Sequence, residues 1–243
     1  MKTVVANWKM NLGVRESAAL ARGVLRLLRG MPSVPEVILA PTFPALLEVA
    51  KIVARSRVRL AAQTMHHEEH GAFTGDVSVR VLKEVGVRAV ILGHSEQRRD
   101  HGETDHGVHQ KVLAALAHGL DPIVCVGEPM AVREAGEQDG YVHNQLRTIF
   151  KGIATSRRHH IMVAYEPLWA VGSGQTPSLH DIESMHDHIR ATLATLDIPS
   201  VIGLYGGSVR PENAYELLHS THVDGVLVGE ASAKMSSLSE IIQ

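Results

Sequence analysis

One pattern, repeated eight times, constrains the fold of this chain more than any other feature of its sequence. A short apolar run rich in β-branched residues is followed by a loop and then by a longer amphipathic stretch. The runs are continuously apolar rather than alternating, which is typical of parallel strands covered on both faces. They predict strands at 3–6, 37–40, 58–62, 89–92, 123–126, 161–165, 201–205 and 225–228.

The amphipathic stretches that follow predict helices near 15–29, 44–54, 78–85, 104–118, 138–154, 178–196, 212–218 and 232–241. Eight β–α units in 243 residues is the size of a (β/α)8 barrel. The rival α/β arrangement is a doubly wound open sheet, which would need a Gly-rich turn after the first strand. That strand ends instead in Asn7-Trp8-Lys9. No linker or shift in composition divides the chain, so we predict a single (β/α)8 barrel domain over residues 1–243.

Charge and cysteine content narrow the classes of partner. The formal net charge is -2 and the pI is about 6.8, which favours neither nucleic acid nor an anionic membrane surface. No stretch approaches the roughly 20 apolar residues of a membrane span, and the first apolar run is too short for a signal peptide. The single cysteine, Cys125, excludes an intrachain disulfide and reads as a packing residue. We therefore predict a cytoplasmic protein.

Sixteen histidines raise the question of a metal. The densest group runs from His66 to His70, but its spacing does not fit the zincin pattern, and Gly71 argues against a continuous helix there. We interpret this group as a solvated loop. The segment from His186 to His188 is polar and predicts a surface position. No metal and no other cofactor are expected.

The polar residues that follow the strands predict where chemistry takes place. In a barrel, the loops after the strands line one face, and active sites are built there. Glu166 directly follows the sixth run, His94 follows the fourth and Lys9 follows the first. A carboxylate among apolar neighbours can act as a base, and a neutral His at a helix start can donate a hydrogen bond to a carbonyl. A lysine there can stabilise an oxyanion or a phosphate. Taken singly, each is also consistent with an ordinary structural or surface residue.

Three Gly-rich turns offer backbone N–H groups to a phosphate. They are Gly172-Ser173-Gly174, Gly206-Gly207-Ser208, and Gly229 with the helix start after it. The last two follow the seventh and eighth strands, where barrels often bind phosphate.

Several segments, in this order and spacing, resemble the triosephosphate isomerase family over essentially the whole chain. They are Asn7-Trp8-Lys9, Gly71-Ala72-Phe73-Thr74-Gly75-Asp76, Gly93-His94-Ser95-Glu96-Gln97-Arg98, Cys125-Val126-Gly127-Glu128, the stretch from Tyr165 to Gly174, and Tyr205-Gly206-Gly207-Ser208-Val209. The stretch around Glu166 is the most specific of them. The resemblance implies a cofactor-independent enzyme of glycolysis and gluconeogenesis that interconverts dihydroxyacetone phosphate and glyceraldehyde 3-phosphate through an enediolate.

The resemblance also implies the role of each site residue. Glu166 would move the proton between C1 and C2, His94 would polarise the carbonyl, and Lys9 would supply positive charge. The remaining implied residues are Asn7 for positioning, Gly172, Ser208, Gly229 and Glu230 for substrate binding, Glu96 and Arg98 as supports of Lys9 and its loop, and Tyr205 as a latch for a lid running from Pro167 to Pro177.

Two positions depart from the family pattern. Glu230 stands where the family usually has a second Gly, and Gln175 stands where it often has Lys in the lid. We expect Glu230 to offer its backbone N–H, with its carboxylate pointing away from the phosphate.

The resemblance further implies a homodimer through the loop from Gln63 to Asp76, which is long for a β–α connection. The alternatives are another barrel isomerase or aldolase of phosphorylated small sugars and a non-catalytic phosphate-binding barrel. A Schiff-base aldolase would need a lysine in a strand, and none of the eight predicted strands contains one. A non-catalytic barrel would predict a lost base or electrophile, yet Glu166, His94 and Lys9 are all present.

Overall fold

The fold is a closed parallel barrel. A computed structural model describes residues 1–31, 34–153, 161–170, 177–198 and 200–243. The strands are β1 (Thr3–Asn7), β2 (Glu36–Ala40), β3 (Arg59–Ala62), β4 (Ala89–Leu92), β5 (Asp121–Val126), β6 (Met162–Tyr165), β7 (Ile202–Tyr205) and β8 (Gly225–Val228). Each strand pairs in parallel with the next, and β8 pairs with β1. The predicted (β/α)8 barrel is confirmed, and the open sheet is excluded because the eight described strands form a closed barrel.

Helices surround the barrel. They are α1 (Val14–Arg29), α2 (Phe43–Val53), α3 (Val79–Val85), α4 (Ser95–His101), α5 (Asp105–Ala117), α6 (Met130–Glu134), α7 (Gln138–Ile149), α8 (Leu179–Thr195), α9 (Pro211–His219) and α10 (Met235–Ile242). Single turns of 3-10 helix lie at Leu168–Ala170 and Glu230–Ala233. The sequence did not predict α6, and the helix predicted from 232 begins only at Met235. Within the part of the chain described, no helix has the length and apolar character needed to cross a membrane.

The apolar core has two layers. Inside the barrel, mostly small and branched side chains fill the axis, among them Val5, Ala61, Ala89, Ile123 and Ala164. The larger layer lies between the strands and the helices. Strand residues therefore bury side chains on both faces, which explains why their sequences are continuously apolar.

Ion pairs hold the amino ends of three strands together. Arg59 at the start of β3 lies 2.7 Å from the Glu36 carboxylate at the start of β2, and it also pairs with Asp121 at the start of β5. All three side chains are less than one-quarter exposed. The charged side chains at this end of the barrel therefore pair with one another, while a cleft opens at the opposite end.

The prediction that the His186 segment lies on the surface is wrong for His186. Its side chain is buried between α8 and β7, where a Cβ added to Gly203 would lie 2.8 Å from the His186 Nδ1. Asp187 is exposed and His188 is half-buried, as predicted for a surface segment. His186 lies on the apolar stripe of α8 with Ile182, Met185 and Ile189, so helical periodicity overrides the polarity of its neighbours.

Candidate active site

A cleft of about 610 Å³ lies at the carboxyl ends of the strands. Its wall includes residues that follow β1, β4, β6, β7 and β8, which the closed barrel brings to one rim. Among them are the predicted site residues Asn7, Lys9, His94, Glu166, Ser208, Gly229 and Glu230. Gly172 is also a predicted site residue, and it lies outside the described residues.

Glu166 is held at the floor of this cleft. Its backbone N–H donates to the Val126 carbonyl at 2.8 Å, and the residue is only 2 % exposed. Two glycines make room for it: a Cβ on Gly127 would lie 1.7 Å from the Glu166 carbonyl oxygen, and a Cβ on Gly206 would lie 2.9 Å from its Cγ. Neither approach leaves space for a larger residue without movement of the backbone or of the carboxylate.

The two carboxylate oxygens of Glu166 have different surroundings. Oε2 accepts a hydrogen bond of 2.9 Å from the Ser95 backbone N–H. Oε1 is buried, lies 3.3 Å from the His94 Nε2 and has no hydrogen-bond partner among the described residues. One oxygen therefore orients the group, and the other is left available to a reacting atom.

His94 presents one defined ring nitrogen to the cleft. It caps the amino end of α4, where its Nδ1 accepts a hydrogen bond of 3.2 Å from the Glu96 N–H. An imidazole nitrogen that accepts carries no proton, so in the neutral ring the proton is on Nε2, the nitrogen that lies beside Glu166. The ring can thus donate a hydrogen bond while neutral.

Lys9 brings a positive charge to the same rim. Its ammonium lies 2.7 Å from the Glu96 carboxylate, and its side chain is about one-third exposed. The Asn7 side-chain oxygen accepts from the Lys9 backbone N–H at 3.1 Å. Gly229, at the end of β8, lies against the lysine chain, since a Cβ there would be 3.1 Å from the Lys9 Cε.

Arg98 braces the loop that carries His94. Its Nε donates to the Gly93 carbonyl at 2.7 Å, and another guanidinium nitrogen donates to the Cys125 carbonyl at 3.2 Å. Gly93 has a φ of +73°, which strongly favours glycine. The Gly93 N–H donates to the Glu103 carboxylate at 2.7 Å. Sequence reasoning missed Glu103, because it lies in a polar stretch before α5 that carries no motif.

The end of the cleft after β7 and β8 combines backbone and side-chain groups. Ser208 lines it, and the Asn213 side chain fixes the segment by donating to the Ser208 carbonyl at 2.9 Å. Glu230 opens the 3-10 turn after Gly229 and is exposed. Tyr205, the predicted latch, is fully buried with its hydroxyl beside Gly207, and burial raises its pKa to about 12.

A buried carboxylate anchors the segment that leaves β6. Glu128 accepts hydrogen bonds from the Tyr165 hydroxyl at 3.0 Å and from the Trp169 Nε1 at 2.7 Å. Burial, together with the charge of Glu128, raises the pKa of Tyr165 far above its usual value. Arg133 covers the Trp169 ring at 5.1 Å. This fixes the start of the predicted lid, whose residues 171–176, including the Gln175 departure, lie outside the described residues.

Cys125 does not serve as a nucleophile here. It is buried in β5, and burial together with the Glu166 charge raises the pKa of its thiol well above the usual value. A protonated thiol in an apolar strand is a packing group. In the described ranges, no group of three or more His, Cys, Asp or Glu side chains is placed to hold a metal ion.

Comparison with known proteins gives one consistent result. The sequence model of the family described as "Triosephosphate isomerase" matches residues 2–243. Curated relatives with that name include those of Chloroflexus aurantiacus, 44% identical over 98% of this chain and 97% of the relative, and of Herpetosiphon aurantiacus, 42% identical over 99% and 97%. The relative from Rhodopirellula baltica is 43% identical over 99% of this chain and 96% of its own.

Proposed function

This chain belongs to the triosephosphate isomerase family, and from that premise we propose how its cleft carries out the reaction. The protein is an aldose–ketose isomerase of glycolysis that interconverts dihydroxyacetone phosphate and glyceraldehyde 3-phosphate by proton transfer through an enediolate. In our proposal, Glu166 is the base, His94 the electrophile, and Lys9 the cation that holds the anionic substrate. A base paired with a neutral histidine is the arrangement known for this family.

The proton transfer is assigned to the unpartnered oxygen of Glu166. Oε1 would take a proton from C1 of dihydroxyacetone phosphate, and the same carboxyl group would return it to C2. As the C1 proton leaves, negative charge grows on the C2 carbonyl oxygen. The proton on the His94 Nε2 would stabilise that charge and then move between the two oxygens of the enediolate.

We assign the binding of the negative charges on the substrate to Lys9 and to backbone N–H groups. The Lys9 ammonium would attract the phosphate and the developing oxyanion, with Asn7 holding its backbone and Glu96 its ammonium. The phosphate would be bound by N–H groups at Gly172, Ser208, Gly229 and Glu230. Arg98 would act through the loop that it braces, not on the substrate.

Two rival functions lack support. None of the eight described strands contains a lysine, so the barrel has no candidate for a Schiff-base aldolase. A non-catalytic barrel has no need to direct a buried carboxylate oxygen, Oε1 of Glu166, at the Nε2 of a histidine on the floor of an open cleft. That unpartnered oxygen, 3.3 Å from the His94 Nε2, is the single observation that carries the proposal.

A kinetic comparison tests the assignment. Glu166→Gln removes the base while keeping the shape of the side chain, and we expect kcat to fall by about 10²–10⁴-fold or more. The Kd of a non-reactive triose phosphate analogue should change far less. Glu212→Gln, at the outer wall of the same cleft, is the matched control and should keep its kcat. A Glu166→Gln variant with near-normal kcat would remove Glu166 from the mechanism.

We also propose a homodimer formed through the loop from Gln63 to Asp76. The loop is fixed at its base, where the His66 N–H donates to the Val77 carbonyl at 2.9 Å. Its Phe73 ring packs on His66 at 4.0 Å yet stays 43 % exposed, which is costly for an aromatic side chain without a partner surface. Sedimentation velocity tests this proposal, and a fully active monomer would refute it.

We further propose that residues 1–243 form a single domain and that the protein works in the cytoplasm. A glycolytic substrate supports that location, as does a lone cysteine kept buried and unpaired.

A further inference from the structure

Lys9 adopts a backbone conformation that most residues avoid. Its φ is +48°, in the left-handed region, where a residue with a Cβ is strained by roughly 1–2 kcal/mol. Such a conformation persists only where the surroundings impose it. The turn places the ammonium in the cleft, so whatever imposes the turn also places the charge.

Two side chains hold the polar groups of the Lys9 backbone. The Asn7 oxygen accepts from the Lys9 N–H at 3.1 Å, and the Gln63 Nε2 donates to the Lys9 carbonyl at 2.9 Å. Asn7 is a near neighbour in sequence, whereas Gln63 follows the end of β3. Of these two side chains, Gln63 is the one that links the Lys9 backbone to a distant part of the sequence.

The same Gln63 nitrogen makes a second bond. It donates to the carbonyl of Ala40, the last residue of β2, at 2.9 Å. Ala40 does not depend on this bond, because its carbonyl also accepts from the Trp8 N–H at 3.1 Å. The Lys9 carbonyl has no second donor among the described hydrogen bonds. Loss of the Gln63 amide therefore affects Lys9 more than it affects the strand ends.

We propose that Gln63 is a positioning residue for the reaction: its side-chain amide fixes the left-handed turn at Lys9 and so sets where the lysine ammonium meets the substrate phosphate. Gln63 does not touch the reacting atoms, and this inference rests on the role of Lys9 proposed above. A displacement of about 1 Å can cost about 10²-fold in rate. Releasing the Lys9 carbonyl permits a shift of that size, because the turn can then relax toward ordinary backbone angles.

A double-mutant cycle separates positioning from a structural role. Gln63→Met keeps the length and volume of the side chain without the amide, and we expect kcat/KM to fall by about 10- to 100-fold, with a raised KM carrying much of the loss. In a Lys9→Ala background the same substitution should change kcat/KM by less than twofold, because no ammonium is left to misplace. Gln110→Met, a half-buried glutamine on α5, is the control and should keep its activity.

Each outcome decides the proposal. Equal losses of kcat/KM in both backgrounds would overturn it, since Gln63 would then act independently of Lys9. A normal kcat/KM for Gln63→Met would also overturn it, as would failure of both Gln63→Met and Gln63→Leu to fold, judged by urea unfolding. An unchanged kcat/KM for Lys9→Ala alone would instead refute the assigned role of Lys9, and with it the proposed function.

Discussion

Replacing the buried His186 should make the protein more resistant to acid. Burial, reinforced by the nearby Arg190 cation, lowers the pKa of His186 from 6.5 to about 4. The carboxylates of Asp224 and Asp187 act in the opposite direction but do not reverse the shift. The remaining charged neighbour, His222, also disfavours the protonated ring.

The sign of the effect follows from which state binds the proton. Above pH 6.5 the ring is neutral in both the folded and the unfolded chain, so it adds no pH dependence. Between pH 6.5 and 4 the unfolded chain takes up a proton that the folded chain refuses, and the free energy of unfolding falls as the pH falls. Below pH 4, the full difference in pKa lowers the free energy of unfolding by about 3 kcal/mol. About 2 kcal/mol of that decrease is already present at pH 5.

Urea unfolding of His186→Met at pH 7.5 and pH 5.0 measures how much His186 contributes to the pH dependence of the free energy of unfolding. Methionine is apolar, of similar size and without a titrating group, and it removes a buried Nε2 that has no partner among the described residues. The loss of stability between the two pH values should be about 2 kcal/mol smaller than in the unmodified protein. Protein concentration must be held constant, because assembly also changes apparent stability.

A matched control comes from the same helix. His188→Met removes a half-buried histidine whose Nε2 lies 2.9 Å from the Asp139 carbonyl, and it should leave the difference between the two pH values unchanged. If His186→Met loses as much stability at pH 5.0 as the unmodified protein, burial of His186 does not oppose its protonation, and the reasoning fails.

Three further predictions concern the cleft. Gly127→Ala should lower the free energy of unfolding by about 3 kcal/mol and kcat by about 100-fold, because the new Cβ would meet the Glu166 carbonyl. The control Gly140→Ala adds a Cβ in open space and should lower neither quantity. Glu230→Gly should change KM less than about twofold in a coupled assay; a tenfold lower KM, about 1.4 kcal/mol, would show that the carboxylate opposes the phosphate. Activity should survive exhaustive treatment with EDTA, and restoration by zinc of lost activity would contradict a mechanism based on proton transfer alone.

The barrel could be predicted because its signal is local and repeated. Each strand is an apolar run and each long helix an amphipathic stretch, so β4 and β8 were predicted at their observed bounds, 89–92 and 225–228. The short α6 was missed because Met130–Glu134 is too brief to show a period. The helix predicted to reach 154 ends at Ile149.

The candidate site residues were predicted from their position after strands, and the closed barrel brings those positions to one rim. Glu166 and His94 lie far apart in the sequence, yet the N–H of Ser95, the residue after His94, donates to Glu166 across a separation of 71 residues. The supporting residues had no such signal. Glu103 and Gln145 bind backbone N–H groups of Gly93 and Gly127, and only the folded chain shows these contacts.

His186 shows how a local cue can mislead. Its polar neighbours suggested a surface position, but the spacing of Ile182, Met185 and Ile189 around it marked the buried face of α8. Periodicity over the whole helix was the better guide.

The pairing of β8 with β1 has a consequence for how the chain is made. Thr3 bonds in register with Gly225, so one side of the first strand stays without its partner until nearly the whole barrel sequence has left the ribosome. During that interval β1 and the latest strand present open edges, which can pair with other chains. The barrel therefore closes as a late event, governed by contacts between distant parts of the sequence, and a nascent chain needs protection longest at its first strand.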